Sequence, residues 1–191
     1  MPRDTTRREQ LLEQATDYVL EHGLIGLSLR PLAAEIGTSD RMLLYHFADK
    51  DDLVASVLTA CTDRSVAELR RLPPAPDVRR AVVALWAAMT SDQLDRCQRV
   101  YVEAAALGLF GREPYVSAVR GANQHWMAAL TDLLVAAGAT PARARRAVTL
   151  MDAAFMGLQL DLPLDGATPE HRRAVRDLAD AVSVITAQGS A

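Results

Sequence analysis

Lysine is nearly missing from this chain: Lys50 is the single one, and every other fixed positive charge is an arginine. Cysteine is as scarce. Cys61 and Cys97 stand apart with no CxxC and no disulfide-scaffold spacing, so they read as small hydrophobes in helices of a reduced, cytoplasmic protein. The four histidines, His22, His46, His125 and His171, show no metal-ligand spacing, and no metal or cofactor is expected. No nucleophile elbow, Gly-rich phosphate loop or HExxH is present, which argues against an enzyme. The longest apolar run, Ala81 to Met89, is far short of the ~20 residues that cross a bilayer, so no membrane partner is expected. The polar start MPRDTTRREQ does not read as a signal peptide. Nor is there an excess of positive charge, the formal net being -3. What remains is a chain of 191 residues, 50% hydrophobic, able to bury a core in one small domain and one larger one.

The richest stretch is SLRPLAAEIGTSDRMLLYHFADKDDL, residues 28–53. Ser28 can cap a short helix in which Leu29, Leu32, Ala33 and Ile36 share one face, and Pro31 sits in its first turn, where a missing N–H is harmless. Gly37 stops that helix, and Ser39 caps a second one from Asp40 to about Phe47. Two short helices joined by a glycine-bearing turn form the motif that lays its second helix in a DNA major groove.

Gly37-Thr38-Ser39, then Leu43-Leu44-Tyr45-His46-Phe47, then Lys50 and Leu53 resemble the tetracycline-repressor (TetR) family of bacterial regulators. Its members commonly show glycine, a hydrophobe and serine, then leucine, an aromatic, any residue, tyrosine or histidine, and phenylalanine. A lysine follows three residues later. Leu44 stands here where tyrosine is usual, and Thr38 where valine is frequent. The first departure removes a phosphate-contacting hydroxyl, while Tyr45 and His46 keep aromatic and donor chemistry nearby. The lone lysine falls where the family uses lysine to hold a phosphate. The resemblance covers the first quarter of the chain and implies a ligand-responsive DNA-binding regulator, commonly a repressor, acting as a homodimer on a palindromic operator.

Charge placement is compatible with that reading. Residues 1–50 carry six basic residues against eight acidic ones, but Glu9, Glu13, Asp17 and Glu21 recur every four residues as one stripe that can face away from DNA. The basic groups lie at Arg3, Arg7 and Arg8 and around the reading helix at Arg30, Arg41 and Lys50. Arg41 is the best candidate for reading guanine, its planar fork matching the O6/N7 edge, with a phosphate contact nearly as plausible. Tyr45, one turn on, shares its face. Thr38 and Met42 can add apolar contacts, Met42 equally filling a core gap. Ser28, Arg30, Ser39, His46 and Lys50 would hold phosphates and set register. His46 also reads as a buried core histidine. Leu43 and Phe47 are core residues.

Helices are expected almost throughout, making the fold all-α: a helix-turn-helix domain at 1–48 and a helical ligand-binding and dimerisation domain at 49–191. Thr6-x-x-Glu9 reads as a capping box for the first helix, and Asp49 with Asp52 caps a long fourth helix that runs to Pro73. Further helices are expected at 77–90, 93–110, 114–137, 141–161 and 169–187, with Pro114, Pro141 and Pro169 in first turns and Thr140 and Thr168 as caps. In the last two helices Val148, Met151, Phe155 and Leu158, and Val175, Leu178, Val182 and Ile185, follow three-four spacing, which suggests a four-helix dimer interface or, alternatively, an interior core. A dimer would set its reading helices ~34–36 Å apart.

The aromatic and thioether side chains Trp86, Met89, Tyr101, Phe110, Trp126 and Phe155 could line a mostly apolar effector pocket or merely be core. Asp152 and Gln159, seven residues apart on an apolar helix, are the more telling pair; a buried Asp152 needs a donor, which His125 or an arginine could supply. Arg96, Arg99, Glu103, Asn123, Gln124 and His125 are further candidates for orienting a ligand. The rival to a DNA-binding regulator is a non-catalytic helical binding module that engages a protein partner without operator recognition.

Overall fold

The computed structural model describes residues 2–187, with side chains from residue 5 onward. It contains α1 (Pro2–His22), α2 (Leu29–Glu35), α3 (Asp40–His46), α4 (Lys50–Arg70), α5 (Val78–Met89), α6 (Asp92–Gly108), α7 (Tyr115–Ala136), α8 (Pro141–Asp165) and α9 (Pro169–Thr186). The described residues include no strand.

The helix ends follow from particular residues. α1 begins at Pro2, so Thr6 and Glu9 lie within it rather than boxing its start. Gly37, at φ +69°, ends the α2 segment in the left-handed region that suits glycine. Ser39 Oγ accepts from the backbone N–H of Met42 at 3.2 Å, capping α3. Asp49 Oδ1 accepts from Asp52 N at 2.8 Å, and Asp52 Oδ2 from Ala48 N at 3.0 Å, which starts α4 as its sequence suggests. Pro141 and Pro169 open α8 and α9, whereas Pro114 stands just ahead of α7. Thr168 caps α9 reciprocally, with His171 in the place usually held by glutamate or glutamine. Thr140 and Ser28 occupy cap positions with extended backbones but make no side-chain capping bond, contrary to the expectation for both.

Two compact units emerge. The first comprises residues up to Ser65 together with Asp95–Gln124, the second Val66–Leu94 together with residues from His125 onward. In the first, Leu11, Ala15 and Val19 of α1 pack with Leu32 and Ala33 of α2, Leu43, Phe47, Leu53 and Val57, and with Val100 and Ala104 of α6. In the second, Val82 and Leu85 of α5 share a core with Leu130 and Leu134 of α7, Met151 and Phe155 of α8, and Val182 of α9. These packing units do not follow the boundary at residue 48 drawn from the sequence; α4 supplies Val54 and Val57 to one core and Val66 and Leu69 to the other.

α8 is, among the described helices, the one long and apolar enough by length and composition to cross a membrane. Packing accounts for part of that apolarity: α8 lies along α9, and Ala144, Ala147, Val148, Met151 and Phe155 are buried. Five of the eight residues expected at a dimer face are taken up inside the subunit. Val148, Met151, Phe155, Val175 and Val182 are interior to the subunit, and Leu158, Leu178 and Ile185 pack against the same core. α9 packs against α5 and α8, which buries Val175 and Val182 and leaves Leu178 and Ile185 partly exposed.

Candidate nucleic-acid interface

α3 presents two faces of different character. Leu43 and Phe47 point inward, each no more than 1% exposed, and anchor the helix in the first core. Arg41, Met42 and Tyr45 are exposed, Tyr45 at 70%. Arg41 and Tyr45 therefore share an accessible side, as their four-residue spacing requires. Leu44 is exposed as well, so its methyl groups sit on the surface where a tyrosine hydroxyl would otherwise stand. His46 is half-buried, its ring 5.0 Å from that of Tyr45 in an edge-on arrangement. Ser28 and Arg30 are exposed beside the start of α2, and Thr38 is half-buried in the turn.

Lys50 opens α4, and its ammonium donates to the carbonyl of Leu27 just ahead of α2. One of three N–H donors is spent on bracing the motif, leaving two for other acceptors. Arg8 takes a role its sequence position did not suggest. Its guanidinium lies 4.6 Å from the Phe47 ring centroid, its Nε donates to the carbonyl of His46 at 3.2 Å, and it reaches Ser56 Oγ at 3.2 Å. Arg8 clamps α3 and α4 onto α1 rather than standing out as part of a basic arm. The side chain of Arg3 lies outside the described residues.

Glu103, expected to orient a ligand, instead holds the α1–α2 turn: Oε2 accepts from Leu24 N and Ile25 N, both at 2.6 Å. A half-buried acceptor over two consecutive N–H groups has no local sequence signature, since 78 residues separate the partners. The acidic stripe is exposed throughout, and Asp17 within it pairs with Arg64 at 2.6 Å. Cys61 and Cys97, remote in sequence, are hydrogen-bonded to each other; that bond and burial push the Cys61 thiol well above its ordinary range.

The expected effector residues divide. Tyr101 is half-buried in the first unit, and Phe110 falls in the turn after α6 at 82% exposure, so it lines no interior. The other six meet in the second unit. Trp86 and Phe155 stand 5.1 Å apart between ring centroids. Trp126 Nε1 donates to Asp152 Oδ1 at 3.0 Å, so a neighbouring indole, not His125 or an arginine, supplies the donor Asp152 needs. Burial raises the Asp152 carboxyl pKa, partly offset by that bond. Gln159 Nε2 donates to the carbonyl of Met89 at 3.2 Å. Arg96, Arg99, Asn123, Gln124 and His125 are exposed and take no part in this interior cluster.

The comparisons with known proteins agree with this geometry. Residues 11–57, spanning the capped helices and the start of α4, match the model of the bacterial regulatory proteins, tetR family. That stretch is thus similar to the DNA-binding domain of the tetR family of bacterial regulatory proteins. An HTH-type transcriptional regulator of Mycobacterium tuberculosis (strain H37Rv) is 33% identical over 101 residues, which cover 52% of this chain and 38% of the relative. The match thus spans well under half of that relative's length. A transcriptional regulator from Rhodococcus sp. Rha1 superposes with a TM-score of 0.73 over 92% of this chain and 95% of its own, at 24% identity. The multidrug binding protein EbrR, solved with imidazole, gives 0.69 over 96% and 97% at 22% identity. At these identities the structural likeness speaks for the fold, an N-terminal helix-turn-helix followed by a helical C-terminal region. TetR-family proteins are regulators and not, in general, enzymes.

Proposed function

We propose that this chain is a TetR-family regulator that binds a palindromic operator as a homodimer in the bacterial cytoplasm, most simply as a repressor, and leaves it when a small, mostly apolar molecule binds its C-terminal helices. The observation that carries the reading is the outward side of α3, where Arg41, Met42 and Tyr45 are exposed on a helix capped by Ser39 and anchored by Leu43 and Phe47. Arg41 and Tyr45 read bases, Thr38 and Met42 add apolar contacts, and Ser28, Arg30, Ser39, His46 and Lys50 hold phosphates. DNA binding is the work of 1–48, and ligand binding and dimerisation that of 49–191.

The dimer forms through α8 and α9, on the side their own core leaves open. Leu150, Ala153, Gly157, Leu160 and Leu164 are exposed at three-four-three-four spacing, and Val184 on α9 is 77% exposed. Such a seam, with Ala153 and Gly157 permitting close approach, suits a four-helix bundle. The effector meets Trp86, Met89, Trp126, Asp152, Phe155 and Gln159. EbrR, of similar fold, has been solved with proflavin and with ethidium, which supports a ligand-binding role for this architecture. α4 runs from Lys50 to the second core at Val66 and Leu69, so a ligand that repacks that core acts on the helix that begins at the DNA surface.

Operator binding is tested by titrating an enriched site with the protein and with Arg41→Ala and Tyr45→Ala. Loss of discrimination between operator and scrambled DNA in the variants supports the assignment; unchanged discrimination refutes it. A folded dimer that stays off all DNA at low salt would instead point to the protein-partner module.

A further inference from the structure

The end of α1 gathers negative charge that no arginine or lysine among the described residues answers. Glu21 and His22 occupy its last turn, and Glu35, the final residue of α2, is brought against them. A long helix carries its negative pole at this end, so carboxylates there are disfavoured and a cation is favoured. Glu35 Oε1 meets His22 Nε2 at 3.0 Å, and that imidazole is the one basic group with which either glutamate pairs among the described residues. A third carboxylate, Glu103, lies beside Gly23, the next residue in the chain.

The three side chains are a mixed donor set already drawn together. One oxygen of each glutamate and a ring nitrogen of His22 lie within 4.8 Å of one another, and all three residues are exposed, so an ion can reach them. In a tetrahedral zinc site, bonds of about 2.0–2.1 Å set neighbouring donors roughly 3.3 Å apart. The His22–Glu35 pair is already that close, and a turn of the exposed Glu21 side chain closes the remaining edges. The imidazole is held in place: the ring of Tyr18, one turn earlier and packed on the first core, lies 4.3 Å from it between centroids. Histidine spacing alone hides such a site, because Glu35 comes from a different helix, 13 residues beyond His22.

We infer that Glu21, His22 and Glu35 bind a divalent transition-metal ion, zinc before others, which pins the end of α2 to the end of α1. An imidazole beside two carboxylates suits first-row divalent ions, whereas magnesium and calcium take oxygen ligands. Zinc accepts nitrogen and oxygen donors together and leaves a fourth position for water. The ion replaces the hydrogen bond between Nε2 and Oε1 with two metal bonds, the ring keeping its proton on Nδ1. It answers both carboxylates, where a protonated His22 answers one charge. The site asks only for the folded first unit, so it is independent of the operator and effector readings.

The full-length protein, free of any affinity tag and stripped with EDTA, is titrated with zinc in competition with a chromophoric chelator, and with cobalt(II) by absorption. One equivalent of each ion should bind. Cobalt should give visible ligand-field bands without the near-ultraviolet charge-transfer band of a thiolate ligand. His22→Ala and Glu35→Gln should each weaken zinc at least about tenfold, since changes merely behind a metal ligand already cost about 10–100-fold. Glu21→Gln should weaken it as well, and His125→Gln, on α7, should leave it unchanged. The three ligand positions are exposed, so their variants should keep the parent's circular dichroism and melting temperature in EDTA. Zinc affinity unchanged in His22→Ala or in Glu35→Gln overturns the inference, as does the lack of a stoichiometric site. A thiolate band would place the ion at Cys61 or Cys97 and overturn it too. If excess magnesium displaces zinc, the cluster attracts cations only as surface charge, and the assigned site fails.

Discussion

Removing the Glu103 carboxylate should destabilise the first unit by about 2–3 kcal/mol. The estimate rests on two unequal bonds. Leu24 is 1% exposed, so its N–H, which donates to Oε2 at 2.6 Å, has no water to turn to when the acceptor goes. Leaving a buried donor unmet costs about 1–3 kcal/mol. Ile25 is 63% exposed and its N–H can be rehydrated, so that bond adds a few tenths to about 1 kcal/mol. For a chain of this size, Glu103→Ala should lower the melting temperature by roughly 4–12 °C, and Glu103→Gln, which keeps one acceptor, by less. Gly23 sharpens the test. It sits at φ +83°, and a Cβ there would stand 2.9 Å from Glu103 Oε1. Gly23→Ala therefore suffers both left-handed strain, about 1–2 kcal/mol, and displacement of the carboxylate. In the Glu103→Ala background only the strain remains, so the double-mutant cycle, followed by urea unfolding, should show coupling of about 0.5 kcal/mol or more. Additivity within ~0.3 kcal/mol, or a Glu103→Ala loss below ~0.5 kcal/mol, would refute the latch.

Asp152→Asn should stabilise the unliganded protein at pH 7, because burial raises the carboxyl pKa and its ionised form is the disfavoured one. The native residue's unfavourable contribution is absent below the unfolded pKa of about 4, grows as pH rises from there toward the raised folded value and levels off above it, so the variant's gain should vanish near pH 4 in thermal melts. Cys61 and Cys97, buried and bonded to each other, should resist iodoacetamide in the native protein and react only on unfolding, checked by intact mass; rapid native alkylation would contradict the placement. Leu160→Arg should dissociate the dimer in sedimentation analysis while Val184→Ala does not, and a Leu160→Arg dimer as tight as the parent would move the interface elsewhere.

The helices were legible where local chemistry decides them. Gly37, Ser39, Asp49, Pro141 and Pro169 act on their immediate neighbours, and α3, α4, α8 and α9 start beside them. The inward placing of Leu43 and Phe47 followed from periodicity. What periodicity could not supply was the choice between two apolar sides of one helix. α8 carries a stripe through Val148, Met151 and Phe155 and another through Leu150, Leu160 and Leu164, and only packing tells which is interior. Long-range polar pairs were equally hidden: Glu103 with Leu24, Arg8 with His46, and Trp126 with Asp152 are set by tertiary approach, not by spacing. Phe110 illustrates the converse, an aromatic that reads as core and lies in an exposed turn because α6 ends at Gly108.

The most direct test is selection of bound sequences from fragmented genomic DNA of the source organism at near-physiological salt, with the parent protein and with Arg41→Ala. The account predicts enrichment of one palindromic site whose half-sites lie about one helical turn apart or a multiple of it, lost or relaxed in the variant. A folded, dimeric protein that enriches no sequence, with or without added cell extract, would contradict it.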